Sequence, residues 1–463
     1  MEPADELVVI SDLHISEGRL DDCDAELEGH LVAFVGWLAG RGHGVELVIN
    51  GDFLDFVQAS PWTGADLEDR TQDGVPLCFT QRQSRDKLKA IAAAHPGVFK
   101  ALRSFLDARI DHRITILPGN HDADFYWKEV RDDFHALVGS PERCRYFLDP
   151  AYVPDGYPWL WIEHGQQADP VNRFEARGAE CWSEGRPPIL RSRLGEDRLY
   201  ECTGTRFLIK FMNALDAKYP FIDNVKPFSR FIRIFGTSAV TPGLGSIKAA
   251  LAVGSMLRYL ADLGLHHRGD VMALEDGTGN AVEHPLAAWY RRAAPVKRKE
   301  FAARLRDAGF ERDMPIEMLF QKPAEFDRLK SFLGERLELI EDLGEADESL
   351  LGKREGTLTL KGGFNADETE DLATHASFIA AAQPVTTVVM GHTHEPVNRV
   401  GTHTYFNTGS WTRYYRFDQA EKTQPWKLLS EQSYERFPYR LLYARASRST
   451  GGATLETWKE RNK

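Results

Sequence analysis

A chain of 463 residues with 42% hydrophobic and 27% charged residues has the balance of a folded protein, long enough for one large domain carrying an insertion, and excludes wholesale disorder. Its net charge of -12 argues against a basic surface built to hold long nucleic acid. Five scattered cysteines (Cys23, Cys78, Cys144, Cys181 and Cys202), odd in number and without a CxxC pair, argue against a disulfide framework and for a reducing compartment.

The acidic start, Met1 to Glu6, runs straight into an apolar strand, whereas a secretory signal needs a basic start and a longer apolar run. No clean apolar stretch of about 20 residues is present to span a bilayer. A cytoplasmic protein is therefore expected.

In chain order, Leu7 to Ile10 is a short apolar run ending in Ser11-Asp12. Leu31 to Leu38 reads as a helix, and Glu46 to Ile49 as a second strand ending in Asn50-Gly51-Asp52. The polar segment Gln81 to Lys87 reads as a solvated helix face, with binding of a substrate phosphate as its alternative. Phe99 to Ala108 is helical in pattern. Ile114 to Leu117 is a third strand, ending in Pro118-Gly119-Asn120-His121, and Trp159 to Ile162 a fourth, ending in Glu163-His164-Gly165. From Arg173 to about Leu351 most segments read as helices. The strand signal returns at Val385 to Met390, ending in Gly391-His392-Thr393-His394, and continues at Thr404 to Asn407 and Arg440 to Tyr443. Strands separated by helices predict an α/β core. The expected organisation is a core over 1–172, a mainly helical insertion over 173–365, and a closing part of the core over 366–463.

Polar residues recur where these strands end: Asp12 and His14, Asp52 and Asp55, Asn120, His121 and Asp122, His164, then His392 and His394. Ligands bind beyond the carboxyl ends of strands in open α/β sheets, so these loops are expected to converge on one site. Carboxylates, imidazoles and an amide oxygen suit Mn, Fe or Zn, and the lack of cysteine argues against a structural zinc site. Any one of these residues alone has a blander reading. Asp55 and Asp122 in particular have the alternative of capping a helix.

D-x-H, G-D-x-x-D, G-N-H-D, H-G and G-H-x-H, in this order, resemble the signature of the calcineurin-like metallophosphoesterases. The match spans roughly 7–170 and 380–412. The resemblance implies a four-layer α/β/β/α sandwich of two mixed sheets and a centre of two divalent ions hydrolysing phosphomonoesters or phosphodiesters, with a hydroxide between the ions as nucleophile. It implies that Asp12, His14 and His394 hold one ion, that Asn120, His164 and His392 hold the other, and that Asp52 bridges them. His121 is then expected beside the substrate phosphate, oriented by Asp122, with Asp55 steadying a ligand.

The insertion begins just after His164-Gly165, a layout similar to that of the UDP-2,3-diacylglucosamine pyrophosphatases, although that family has Arg at the position of His121 and a much shorter insertion. Arg206 to Tyr259 is aromatic and basic within an acidic chain: Phe207, Phe211 and Leu215 share a helical face, with Arg206, Lys210, Lys218 and Lys226 interleaved. A helical subdomain packed on the core is the plain reading. A cap gripping a lipid-linked substrate, or a face docking peripherally on an anionic membrane, is the alternative. Asn172 and Arg173 are further candidates near the site. A phosphorylated small molecule or lipid-linked substrate is the expected partner. The competing class is a non-catalytic metal-binding scaffold on the same fold.

Overall fold

Strands buried on both faces read as unbroken apolar runs, and those runs form the centre of the molecule. The computed structural model describes residues 2–18, 22–59, 80–169, 171–176, 179–191, 195–200, 295–310, 314–319, 368–416 and 437–459, with short pieces between 202 and 332. The elements are β1 (Glu6–Ile10), α1 (Ala25–Ala39), β2 (Val45–Asn50), α2 (Gln81–Ala94), α3 (Pro96–Ala108), β3 (Arg113–Leu117), α4 (Lys128–Val138), β4 (Cys144–Tyr146) and β5 (Leu160–Ile162). Next come β6 (Glu175–Ala176), β7 (Ala179–Glu180), β8 (Ile189–Arg191), β9 (Asp197–Leu199), β10 (Val225–Lys226), α5 (Pro295–Asp307) and α6 (Ile316–Leu319). The chain continues with α7 (Glu368–Ala382), β11 (Thr387–Met390), β12 (Val397–Val400), β13 (Thr404–Asn407), β14 (Tyr415–Arg416), β15 (Leu442–Ser447) and β16 (Gly452–Thr457).

Two mixed sheets result, as an α/β reading expects. The larger runs β16-β15-β1-β2-β3-β4, with β1 to β4 parallel and β15 antiparallel to both its neighbours. The smaller runs β12-β13-β11-β5, with only β12 antiparallel. Side chains alternate across each strand. Val8 and Ile10 of β1 therefore join Leu47, Ile49, Ile114 and Ile116 under α1, α2, α3 and α4. Leu7, Val9 and Val48 point the other way and meet Leu160, Ile162, Val389 and Phe406 of the smaller sheet. Val388, Met390 and Tyr405 on the far face of that sheet pack on Leu372, Ala376 and Ile379 of α7.

Helix α1 starts earlier than its apolar spacing suggests, because Asp24 caps it. The Asp24 carboxylate accepts from the amides of Glu26 and Leu27 at 2.9 Å, and Glu26 and Glu28 complement the positive end of the dipole. Helix α2 is fixed by a capping box between Thr80 and Gln83. The solvated-face reading of Gln81 to Lys87 holds only in part. Arg82 is exposed, Arg85 pairs with Asp133 at 2.6 Å, but Lys87 is fully buried and its ammonium donates to the Phe56 carbonyl at 2.6 Å.

Past Arg173 the chain first makes the antiparallel pairs β6–β7 and β8–β9, where helices were expected. The chain divides into two compact units, one of 1–235 with 367–463, the other of 236–366. In the second, Phe301, Leu305, Phe310, Ile316 and Leu319 are buried. Of the residues named in the basic aromatic stretch all but Lys226 lie outside the described residues. Among the described residues no helix is long and apolar enough to cross a membrane. Cys23, Cys144, Cys181 and Cys202 are buried and form no disulfide among the described residues, and Cys78 lies outside the described residues.

Candidate metal centre

Every loop singled out in the sequence leaves the carboxyl end of a parallel strand. Asp12 and His14 follow β1, Asp52 and Asp55 follow β2, and Asn120, His121 and Asp122 follow β3. His164 follows β5, and His392 and His394 follow β11. Backbone hydrogen bonds tie the loops together: Leu13 and His14 donate to the Asp52 carbonyl, Gly391 to that of His164, and Trp411 to that of Asp12.

The backbone at the site is unusual. Among the described residues the non-glycine residues with positive φ are Asp12, His14, Asp52, His392, His394 and Ser140. All but Ser140 are expected ligands. Such conformations are costly and persist where surrounding structure enforces them. The loops also need glycine. A Cβ on Gly119 would lie closer than 3.0 Å to the Asp52 carboxylate, and one on Gly391 closer than 3.0 Å to that of Asp12.

Two groups of side chains share Asp52, and a third joins His14 to Asp55 and His121. Ligand atoms of Asp12, His14, Asp52 and His394 lie within 4.8 Å of one another, as do those of Asp52, His164 and His392. Asp52 Oδ2 stands 3.8 Å from His14 Nε2 and 3.2 Å from His164 Nε2. His14 Nε2 and His394 Nε2 approach to 2.9 Å, and His394 Nε2 lies 3.4 Å from Asp12 Oδ1. Asp12, Asp52 and His164 are essentially solvent-free.

Each of three imidazoles is fixed by one ring nitrogen and leaves the other for a ligand. His14 Nδ1 contacts Asp55 Oδ2 at 3.1 Å, His164 Nδ1 contacts the Asn50 carbonyl at 2.8 Å, and His392 Nε2 contacts Asp169 Oδ2 at 3.0 Å. Metal-bound histidines are held in this way, which sets tautomer and ring orientation. On the open side, His392 Nδ1 and the Asn120 side-chain oxygen are buried without a hydrogen-bond partner, and His164 Nε2 faces Asp52 Oδ2 at 3.2 Å. Orphaned buried acceptors are rare, and a cation satisfies both. The residues therefore fit a divalent ion, and the carboxylate, imidazole and amide donor set fits Mn, Fe or Zn.

The electrostatics agree. Burial alone would raise Asp52, but His164, His121 and His14 hold its carboxyl well below the ordinary range. Burial pushes the Asp12 carboxyl up, with Asp52 adding to it. Burial would depress His164, yet Asp52 and Asp12 raise it to about 10. Carboxylates that hold protons on imidazoles are carboxylates that attract cations, and metal binding at such a site releases those protons.

One expected role moves to a different residue. Asp122 makes no hydrogen bond to the His121 ring among the described residues. Its carboxylate accepts from the amides of Gly119 at 2.5 Å and Phe53 at 2.9 Å, locking two loops together. His121 is oriented by Asp55, whose Oδ2 contacts His121 Nδ1 at 2.8 Å. The same oxygen holds His14, and Asp55 Oδ1 accepts from the Gln58 amide at 2.8 Å. Burial would lower His121, but Asp55 and Asp52 raise it to about 9. Asp122, buried and near Asp52, is raised to about 7.

Asp169 was missed as a site residue. Its one signal is position, five residues after His164 and before the texture changes. Asn172, a sequence candidate, donates to Asp169 Oδ2 at 2.7 Å, whereas Arg173 pairs with Glu175 at 2.8 Å. In comparisons with known proteins, no family model and no curated protein matches the chain.

Proposed function

We propose that the chain is a two-metal phosphoesterase of the calcineurin-like type, hydrolysing phosphomonoesters or phosphodiesters, with its sheets and helices forming that family's four-layer core. The observation that carries the reading is the shared carboxylate: Asp52 belongs to both ligand groups, each supplied by loops from different strands. Asp12, His14 and His394 would hold one ion, Asn120, His164 and His392 the other, and Asp52 both. Bound there, divalent ions supply charge to offset the phosphate and acidity to a bound water.

The chain's own residues do the rest. Asp55 takes the His121 Nδ1 proton in a hydrogen bond and leaves Nε2 for the substrate. A cationic His121, favoured by Asp55 and Asp52, is suited to neutralise a phosphoryl oxygen or to give its proton to the leaving oxygen. Asp122 keeps the Gly119 and Phe53 amides in place, so the loops bearing Asn120 and Asp52 keep their spacing. Manganese is the metal to try first, and a small or lipid-linked phosphoester the substrate class.

The test is hydrolysis of bis-p-nitrophenyl phosphate and p-nitrophenyl phosphate by protein stripped of metal and reloaded with Mn. The proposal expects metal-dependent turnover that is lost in His121→Ala and Asp52→Asn. Absence of both turnover and bound metal would favour a scaffold without catalysis.

A further inference from the structure

Ser11 lies between β1 and Asp12, fully buried, and its hydroxyl has one proton for three acceptors within reach. Asp12 Oδ2 stands at 2.5 Å, Thr408 Oγ1 at 2.7 Å and the Gly409 carbonyl at 3.2 Å. A carboxylate is the strongest acceptor of the three and here also the nearest, so the proton goes to Asp12. Thr408, equally buried, then gives its own proton to Ser11 Oγ, its other acceptor being the Met390 carbonyl at 3.4 Å. Asp12 Oδ2 also accepts from the His392 amide at 3.0 Å. Oδ1 shares that amide at 3.1 Å and stands 3.4 Å from His394 Nε2. The segment after β13 holds Asp12 by its main chain as well. The Asp12 carbonyl accepts from Ser410 Oγ at 2.9 Å and from the Trp411 amide at 3.0 Å. Asn407 Nδ2 donates to the Gly391 carbonyl at 2.7 Å, on the same peptide whose N–H, that of His392, points at Asp12. Donors and acceptors chained in this way polarise one another in a buried site.

We propose that Ser11, backed by Thr408, is a positioning residue for the ion assigned to Asp12, His14 and His394: the hydroxyl relay occupies Asp12 Oδ2 and leaves Oδ1 as the oxygen offered to the metal. A carboxylate free to turn can offer either oxygen or both, whereas one pinned by a neighbour offers a single, fixed donor. The relay starts 397 positions away in the sequence, so the closing part of the chain sets a ligand carried by the first strand. The inference rests on the metal-centre reading and adds to it two hydroxyls that are not ligands themselves.

The experiment is calorimetric titration of manganese into the full-length protein stripped of metal, for wild type, Ser11→Ala, Thr408→Val, Thr408→Ser and the double variant Ser11→Ala/Thr408→Val. Urea unfolding of each metal-free protein accompanies it. Ser11→Ala is expected to weaken one of two binding events by about tenfold or more, and to leave the other within about twofold of wild type. Thr408→Val weakens the same event by about three- to tenfold, the loss of one neutral hydrogen bond. Thr408→Ser keeps the hydroxyl and stays within about twofold of wild type. The double variant binds no more weakly than Ser11→Ala, because Thr408 acts through Ser11. Manganese affinity unchanged in Ser11→Ala, with only the urea midpoint of the metal-free protein lowered, would make Ser11 structural and overturn the proposal. Losses that multiply in the double variant would overturn the relay. If wild type itself bound no manganese, the metal-centre reading would fall and this proposal with it, a result distinct from intact binding that ignores Ser11.

Discussion

Replacing Asp55 by Asn removes one charge and changes one oxygen to an amide, yet it should disturb two histidines at once. Asp55 Oδ2 holds His14 Nδ1 at 3.1 Å and His121 Nδ1 at 2.8 Å, while Oδ1 accepts from the Gln58 amide at 2.8 Å. An Asn has one acceptor for these two directions. Turned either way, its NH2 group faces an N–H donor or forces the imidazoles to accept at Nδ1. An imidazole that accepts at Nδ1 carries its proton on Nε2, the nitrogen that His14 directs towards Asp52 and His394. Loss of such an orienting carboxylate costs about 10–100-fold in metal affinity, or about 1.4–2.7 kcal/mol. Calorimetry of manganese binding to wild type and Asp55→Asn measures it directly. Affinity within about twofold of wild type would refute the role given to Asp55, since the two charged contacts would then contribute almost nothing.

Gly391→Ala should lower both stability and metal affinity, because its Cβ would meet Ser11 and the Asp12 carboxylate closer than 3.0 Å; a loss of about 1–3 kcal/mol in urea unfolding is expected. Lys87→Met should destabilise by about 1.5–3 kcal/mol, since it leaves the buried Phe56 carbonyl without its charged donor, and urea unfolding at constant metal tests it. His112 is fully buried, stacks on Phe105 and accepts from the Val45 amide at 3.1 Å, and burial lowers its pKa below the ordinary 6.5. The unfolded chain therefore takes up the proton first. Stability from this group is full above pH 6.5 and is lost as pH falls through the lowered native pKa. Unfolding at pH 5.5 and 7.5 should show a smaller acid loss in His112→Gln than in wild type.

Much of the candidate centre was legible because its residues stand immediately after strands that read as unbroken apolar runs. Asp12, Asp52, Asn120, His164, His392 and His394 needed only that positional rule. What lay hidden depends on how side chains turn. Asp122 is adjacent to His121 in sequence, but the loop turns it back onto the Gly119 and Phe53 amides and leaves His121 to Asp55, on a different strand. Lys87 lies in a segment so polar that burial was invisible, since its partner is a carbonyl contributed by a distant loop. Strand β16 escaped because one edge of the sheet is half solvated, and its residues alternate between exposed and intermediate without an apolar run. The hairpins between Glu175 and Leu199 are too short for periodicity to register.

The left-handed backbone at Asp12, His14, Asp52, His392 and His394 has a practical consequence for anyone dissecting the centre by mutagenesis. Asp, Asn and His are the non-glycine residues that tolerate this conformation best, so the demands of coordination and of the main chain select overlapping side chains. An alanine at any of these positions changes two things together: it deletes the donor atom and adds torsional cost to the loop. Aspartate-to-asparagine exchanges keep the main-chain preference and alter the charge, so they separate chemistry from conformation. A conventional alanine survey would report both losses as one number.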